Sequence, residues 1–502
     1  MVSVVNPAAF PPAPASFNMA RYVLGKVASQ PDKIALSVLH TFSPDHWTYR
    51  DLEAAVLGTA TGLLNAGARA GDIILMRLGN TVDFPLAYLG ALAAGMVPVP
   101  TSAALQEPEV ARIIAELSPK FILHDADVPC PQADNIIALP DLQAMRTLPT
   151  GTFHMGDPDR LGYIIYTSGT SGTPRTVAHA HRAIWARQMM FSGWYDLQQT
   201  DVVLHAGAFN WTYTLGTGLM DPWTMGATAL IPAPDTPSAD LPALLATHRA
   251  TIFAAAPGVY RQLLKGDGAF NLPDLRHGLS AGEKLPVATA VKWAAATGTK
   301  IYEAYGMSEC STFLSSSPNK PASAGTLGFA QAGRRVAILG ADGPVPLGVE
   351  GTIAIHNSDP GLMLGYLNDP AETRSKMQGD WFVTGDQGVM TDSGEITYLG
   401  RNDDMMNAGG YRVSPIEVEQ ALTGFDGLTA VAATQIEVKA DTFVIAAFYT
   451  SATPLDEAAL RAYVQGTLAT YKQPRLYVHI DTLPMGGNGK ILRRHLRTTW
   501  KA

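Results

Sequence analysis

At 502 residues the chain exceeds the length over which one hydrophobic core keeps growing, so at least two domains are expected. Its 47% hydrophobic and 16% charged content describes a compact globular protein and excludes a disordered or solenoid one. A formal net charge of −8, without basic runs or interleaved basic and aromatic residues, argues against nucleic acid or an anionic membrane as a main partner.

Met1 to Pro14 is rich in Ala and Pro and lacks a cationic segment followed by an apolar one, so no secretory signal is expected. From about residue 30, strand-like runs such as Ile73 to Met76, Phe121 to Leu123, Thr251 to Ala255 and Val336 to Leu339 alternate with segments of helical apolar periodicity. That alternation predicts α/β layers. Glu53 to Ala66 and Phe84 to Ala94 are predicted helices, the second with Asn80 and Asp83 as caps. The longest apolar stretch, Tyr88 to Val99, is too short and too glycine-punctuated to span a bilayer. Cys130 and Cys310 are too few for a disulfide framework and have no metal-ligand spacing, which fits a reducing compartment and a soluble cytoplasmic enzyme.

Behind the apolar run Tyr163 to Tyr166 comes Thr167-Ser168-Gly169-Thr170-Ser171-Gly172-Thr173-Pro174-Arg175. Gly169 and Gly172 allow close backbone approach to a ligand, the hydroxyls add donors, and Arg175 supplies a planar cation suited to phosphate oxygens. A Ser/Thr/Gly linker would have the same composition, but not the strand-like run before it or the Pro-Arg ending. The segment lacks the Gly-Lys-Ser/Thr ending of a P-loop.

Two further segments, Ser280-Ala281-Gly282-Glu283-Lys284-Leu285 and Ile301 to Glu309, each end a strand-like run with small residues and a carboxylate. Loops at the carboxyl ends of strands in an open α/β sheet line a ligand crevice, so both are expected to border one site. Glu309 is placed to hold Mg²⁺ or, equally, to be an acid at a helix N-terminus. Tyr305 suits base stacking or the core. Near residue 325 short strands and Gly/Pro turns begin, a small antiparallel region that contains Asp386 and Arg401, suited to ribose hydroxyls or to a surface ion pair. A composition shift at about residue 403 predicts a boundary, followed by an α+β domain with helices at Ile416 to Leu422, Glu457 to Thr467 and Leu492 to Trp500. Pro484-Met485-Gly486-Gly487-Asn488-Gly489-Lys490 then places one lysine on a flexible loop.

In this order, and beginning with Trp47-Thr48-Tyr49-Arg50-Asp51-Leu52, the segments resemble the adenylate-forming superfamily of acyl- and aryl-CoA synthetases, peptide-synthetase adenylation domains and beetle luciferases. The resemblance covers nearly the whole chain. It implies an N-terminal adenylation domain over 1–402, with a β-rich subdomain over about 325–402, and a mobile C-terminal lid over 403–502 that turns about Asp403. It implies that Thr167 to Arg175 embraces the β- and γ-phosphates of ATP, that Gly282, Glu283, Lys284, Glu303, Ala304 and Tyr305 border adenine, and that Ser308 lies near the α-phosphate. Glu309 would hold Mg²⁺, and Asp386 and Arg401 would take the ribose. Phe209, Asn210, Trp211, Ala281, Gly306 and Met307 would border the acid, Gly409 and Gly410 would face the coenzyme A tunnel, and Lys490 would be the catalytic lysine, with Glu309 and Arg175 beside it.

The implied reaction is an ATP-dependent, AMP-forming ligation of a small carboxylic acid, aromatic or short to medium in chain length, to coenzyme A; the alternative is loading of an acyl group onto a carrier protein. No aspartate lies within Ala208 to Leu215 to take an amino group, which disfavours an amino-acid substrate. The resemblance further implies a monomer or homodimer, and Lys490 as a target of a lysine acetyltransferase. Three positions depart from the family pattern: Arg175 stands where lysine is usual, Thr176 where glycine is common, and Asn210 where the acyl-pocket motif has histidine.

Overall fold

Thr48 opens the first long helix, Tyr49–Asn65, with a capping box: its hydroxyl accepts from the Asp51 N–H at 3.1 Å while the Asp51 carboxylate accepts from the Thr48 N–H at 3.2 Å. Tyr49 is fully buried, and its hydroxyl donates to the Ala227 carbonyl at 2.7 Å. The computed structural model describes residues 1–40, 44–167, 175–234, 236–265, 269–401, 405–485 and 491–500. The second long helix, Asp83–Ala93, is buried on all sides, and its N-cap position is Val82, without a side-chain cap. Asn80, expected to cap it, is used elsewhere. Its Oδ1 accepts from the Phe209 N–H at 2.8 Å, so it anchors a segment 129 positions away.

The architecture is α/β with a β-rich subdomain and a smaller α+β domain. Among the described residues, nine strands form the largest sheet. Its parallel centre runs Ile301–Met307, His277–Ala281, Ile252–Ala254, Val202–His205, Thr228–Pro232 and Ile34–Leu39, with antiparallel strands at both edges. Val97–Pro100, Ile73–Arg77, Phe121–His124 and Ile136–Ala138 form a second, wholly parallel sheet. Both are packed by helices, as the near-continuous apolar composition of parallel strands requires. Leu161–Thr167 and Arg175–Ala180 pair antiparallel, joined by the short strand Gly365–Tyr366. The β-rich subdomain is an antiparallel sheet that includes Val336–Gly340, Gly351–His356, Trp381–Met390 and Ile396–Arg401. Beyond residue 405, a hairpin of Met406–Ala408 and Tyr411–Val413 precedes a sheet of Ala430–Lys439, Thr442–Thr450 and Leu476–His479, with two hydrophobic clusters of its own.

Candidate functional site

The parallel register Ser280↔Glu303 and Ala281↔Ala304 sets the ends of two central strands side by side, where the sheet opens. Glu303 accepts from the Leu285 N–H at 2.9 Å and so ties the Gly282–Leu285 turn to the neighbouring strand. Burial pushes its carboxyl up to about 7, although the Leu285 N–H and Lys284 favour the charged form. Tyr305 lies tilted or edge-on against Phe313 and Tyr398, and its hydroxyl donates to Asp386. Asp386 stands opposite Arg401 across the antiparallel ladder of the β-rich subdomain. Glu283, Lys284, Glu303, Tyr305 and Asp386 line a polar cavity of about 410 Å³. Ala304 and Gly409 line it as well.

Glu309 occupies the hairpin turn between Ile301–Met307 and Ser311–Ser315, not the start of a helix. It is 1% exposed. Oε1 accepts from the Tyr366 hydroxyl at 2.8 Å, Oε2 has no hydrogen-bond partner among the described residues, and Arg412 Nη1 stands 3.8 Å from it. A buried, hydrogen-bond-deficient carboxylate oxygen is a donor that fits a hard cation. Among the described residues no three metal-ligating side chains cluster, so a metal here would depend on this one carboxylate and on substrate oxygens. The turn is fixed from below by His179, whose Nε2–H donates to the Ser308 carbonyl at 2.7 Å and whose ring stacks on Tyr163. Burial pushes this imidazole down to about 4, so it is neutral.

Thr167 and Arg175 are cross-strand partners, which brings the ends of the glycine- and hydroxyl-rich segment together. Its residues Ser168, Gly169, Thr170, Ser171, Gly172 and Thr173 lie outside the described residues. The Arg175 guanidinium pairs with Glu372 and lies over the Tyr366 ring, 5.1 Å from its centroid. Tyr366 therefore touches both Arg175 and Glu309, a connection with no local signal in the sequence. Asp403 and Lys490 also lie outside the described residues, as does the Arg401 side chain.

A second cavity, of about 200 Å³, is lined by Asn210, Trp211, Ala281, Gly306 and Met307, and by Thr167 and Ser308. Phe209 is not among them. It is buried in the core against Phe84, with ring centroids 6.0 Å apart, while Asn210, Trp211, Thr212 and Tyr213 line the cavity. The hairpin loop of the smaller domain closes the cavity. Gly410 donates its N–H to Glu283, and Trp211, Tyr411 and Tyr471 form a continuous stack with centroids 4.8 and 4.0 Å apart. Beside the stack, Lys472 Nζ donates to Glu109 Oε1 at 2.7 Å and to Glu417 Oε1 at 2.6 Å, so one buried lysine joins the two domains.

A polar and a largely apolar cavity, meeting at the ends of parallel strands beneath the loop of a second domain, define a two-domain α/β enzyme that brings two substrates into one cleft. The family model for AMP-binding enzymes matches residues 25–367, and the chain belongs to that family. It is 29% identical to a benzoate–CoA ligase of Thauera aromatica, over 99% of each chain. It is 27% identical to the mitochondrial acyl-coenzyme A synthetase ACSM2A of Homo sapiens, over 91% of this chain and 85% of that one. Among solved structures, a benzoate CoA ligase from Burkholderia xenovorans matches with a TM-score of 0.68 and 26% identity, over 96% of this chain and 100% of that one. An o-succinylbenzoate CoA synthetase from Bacillus subtilis, bound with a product analogue, shares the fold with a TM-score of 0.83 at 21% identity, over 96% and 99%.

Proposed function

We propose that the chain is an ATP-dependent, AMP-forming acid–CoA ligase acting on a small carboxylic acid of the benzoate or short- to medium-chain type. The observation that carries this reading is the shared rim: Gly282, Gly306, Met307 and Arg412 line both cavities, so a nucleotide in the polar one and an acid in the other meet at the Met307–Ser311 turn. The full-length similarity to a benzoate–CoA ligase and to an acyl-coenzyme A synthetase supports coenzyme A as the acceptor.

On this reading Tyr305 and Glu303 border the adenine, Asp386 and Arg401 take the ribose hydroxyls, and the Thr167–Arg175 segment takes the outer phosphates. Mg²⁺, held by Glu309 and by phosphate oxygens, would supply neutralisation of the phosphate charge. The acid's carboxylate attacks the α-phosphate, forming the acyl–phosphate anhydride bond as the bond to pyrophosphate breaks; two anions must meet, and Lys490 lowers that barrier by facing both. The thiolate of coenzyme A then attacks the acyl carbonyl and AMP leaves. We assign Gly409 and Gly410 to the thiol's path, residues 1–402 to the adenylation domain and 403–502 to a lid turning about Asp403. A pyrophosphate-release screen over carboxylic acids, with and without coenzyme A, tests the reading. Acid-dependent pyrophosphate and a CoA thioester are expected; pyrophosphate release that no acid stimulates would refute it.

A further inference from the structure

One wall of the acid cavity is charged. Arg187, 6% exposed, lines it together with Thr217 and Ser311. Its guanidinium is bound to Asp221, which is fully buried, through Nε to Oδ1 at 2.8 Å and Nη2 to Oδ2 at 2.6 Å. Nη2 also reaches the Tyr195 hydroxyl at 3.1 Å and Thr217 Oγ1 at 3.2 Å, and Nη1 donates to Ser311 Oγ at 2.7 Å. Burial opposes this charge, but Asp221 and Tyr195 outweigh it and hold the guanidinium protonated. The surroundings are shaped for it. Tyr195 and Thr217 sit on the π-helical turns Phe191–Tyr195 and Thr214–Met220, a rare winding frequent at functional sites, and a Cβ at Gly216 would collide with the guanidinium.

A buried ion pair is weak evidence of a stabilising role, since an apolar pair of the same volume often serves stability as well. The donor count points instead to a ligand. Among the described residues Nη1 has Ser311 as its one acceptor, which leaves its second N–H over, and the Ser311 hydroxyl accepts there without donating elsewhere. Ser311 is held at φ 64, a left-handed conformation uncommon for a non-glycine residue and one that clusters at ligand sites. Both residues also line a small cavity of about 20 Å³ that borders Asn210 and Thr212, the size of one water or one heavy-atom substituent.

We propose that Arg187 and Ser311 form a specificity subsite that selects a compact ring acid carrying one neutral hydrogen-bond acceptor, a hydroxyl oxygen or a ring nitrogen, over the unsubstituted ring and over a dicarboxylate. The proposal rests on the ligase reading above. Two donors lining one small space call for an acceptor, and in the larger acid cavity, which Arg187 and Ser311 also line, Trp211 and Tyr213 supply flat walls. A second carboxylate does not fit, because Asp221 already neutralises Arg187 and the added anion would be buried without a cation of its own.

The test is kcat/KM for thioester formation by the full chain with benzoate, the three hydroxybenzoates, the three pyridine carboxylates and the benzene dicarboxylates. At least one hydroxy or pyridine acid should exceed benzoate about tenfold or more, with the dicarboxylates below benzoate. Ser311→Ala, which leaves the Arg187–Asp221 pair intact, should cut that preference about fivefold or more, chiefly through KM. The paired change Arg187→Met with Asp221→Leu should abolish it. Benzoate equal to or better than every neutral-acceptor acid, a dicarboxylate as the best substrate, or a preference unmoved in Ser311→Ala would each overturn the subsite while leaving the ligase reading in place. Pyrophosphate release with no acid at all would overturn both.

Discussion

Replacing Gly410 by alanine should slow thioester formation far more than adenylation, because the change acts only where the hairpin loop enters the cleft. Gly410 has φ 82, and an alanine held in that left-handed conformation costs roughly 1–2 kcal/mol. Its Cβ would also collide with the Trp211 ring, which cannot yield without breaking its stack on Tyr411; forcing extra volume into such a contact costs about 1–3 kcal/mol. Together these come to about 2–5 kcal/mol against the seated loop, or roughly a 30- to 4,000-fold loss in the step that needs it. Gly409 is the internal control: at φ 56, with no atom within 4 Å of the point where a Cβ would stand, Gly409→Ala meets the backbone cost alone, about 5- to 30-fold. Adenylation is read by acid-dependent exchange of pyrophosphate into ATP, and the second step by transfer to coenzyme A from a supplied acyl adenylate. Equal losses in the two steps for Gly410→Ala, or a loss no larger than that of Gly409→Ala, would refute the assignment of this loop to the transfer step.

Lys490→Ala should cripple acyl-adenylate formation and leave transfer from a supplied adenylate largely intact; an equal loss in both halves would remove its catalytic role. Glu309→Gln should lower acid-dependent pyrophosphate release about 100-fold and shift its Mg²⁺ dependence to higher concentration, and an unmoved Mg²⁺ titration would rule out the carboxylate as the metal's ligand. Glu303 is the pH probe. Its carboxyl is raised from 4.5 to about 7 in the fold, so its favourable contribution is complete below pH 4.5 and is lost as pH rises through 7. Glu303→Gln keeps an oxygen for the Leu285 N–H and should flatten this fall, so the variant's Tm should gain on the parent's between pH 5 and pH 8; parallel Tm profiles would show that Glu303 does not titrate there.

Elements with strong periodicity were legible in the sequence: Ile73 to Met76 and Val336 to Leu339 each fall within an observed strand that is one residue longer. What local pattern cannot carry is the distant partner. Asn80 reads as a cap because caps are defined by the next few residues, yet its acceptor oxygen serves Phe209. Phe209 and Trp211 both read as bordering the acid, and only the fold separates Phe209, in the core, from Trp211, in the cavity wall. Arg187 and Tyr366 stand in stretches without any motif; Asp221 and Glu309, which give them meaning, are 34 and 57 positions away. The alternative reading of Glu309 as an acid at a helix start fails for a related reason, since the register of two antiparallel strands makes that turn a hairpin.

On the proposed reading the seam between the two domains has to open between the two half-reactions. Lys472 is shared by Glu109 and Glu417, and stacked aromatic pairs such as Trp211–Tyr411 contribute only about 0.5–1.5 kcal/mol each beyond the area they bury. The same hairpin carries Arg412 to within 3.8 Å of Glu309 Oε2. On the proposed reading this carboxylate faces two cations in turn. During adenylation, when a carboxylate and a triphosphate must be brought together, Glu309 would hold a metal that neutralises phosphate charge. In the arrangement of the hairpin loop seen here, Arg412 stands beside the same oxygen, so the buried carboxylate is not left without a compensating charge. One carboxylate, fixed in the hairpin turn, thus lies within reach of the nucleotide cavity and of the loop of the second domain, which is why Glu309→Gln is expected to disturb more than metal binding alone.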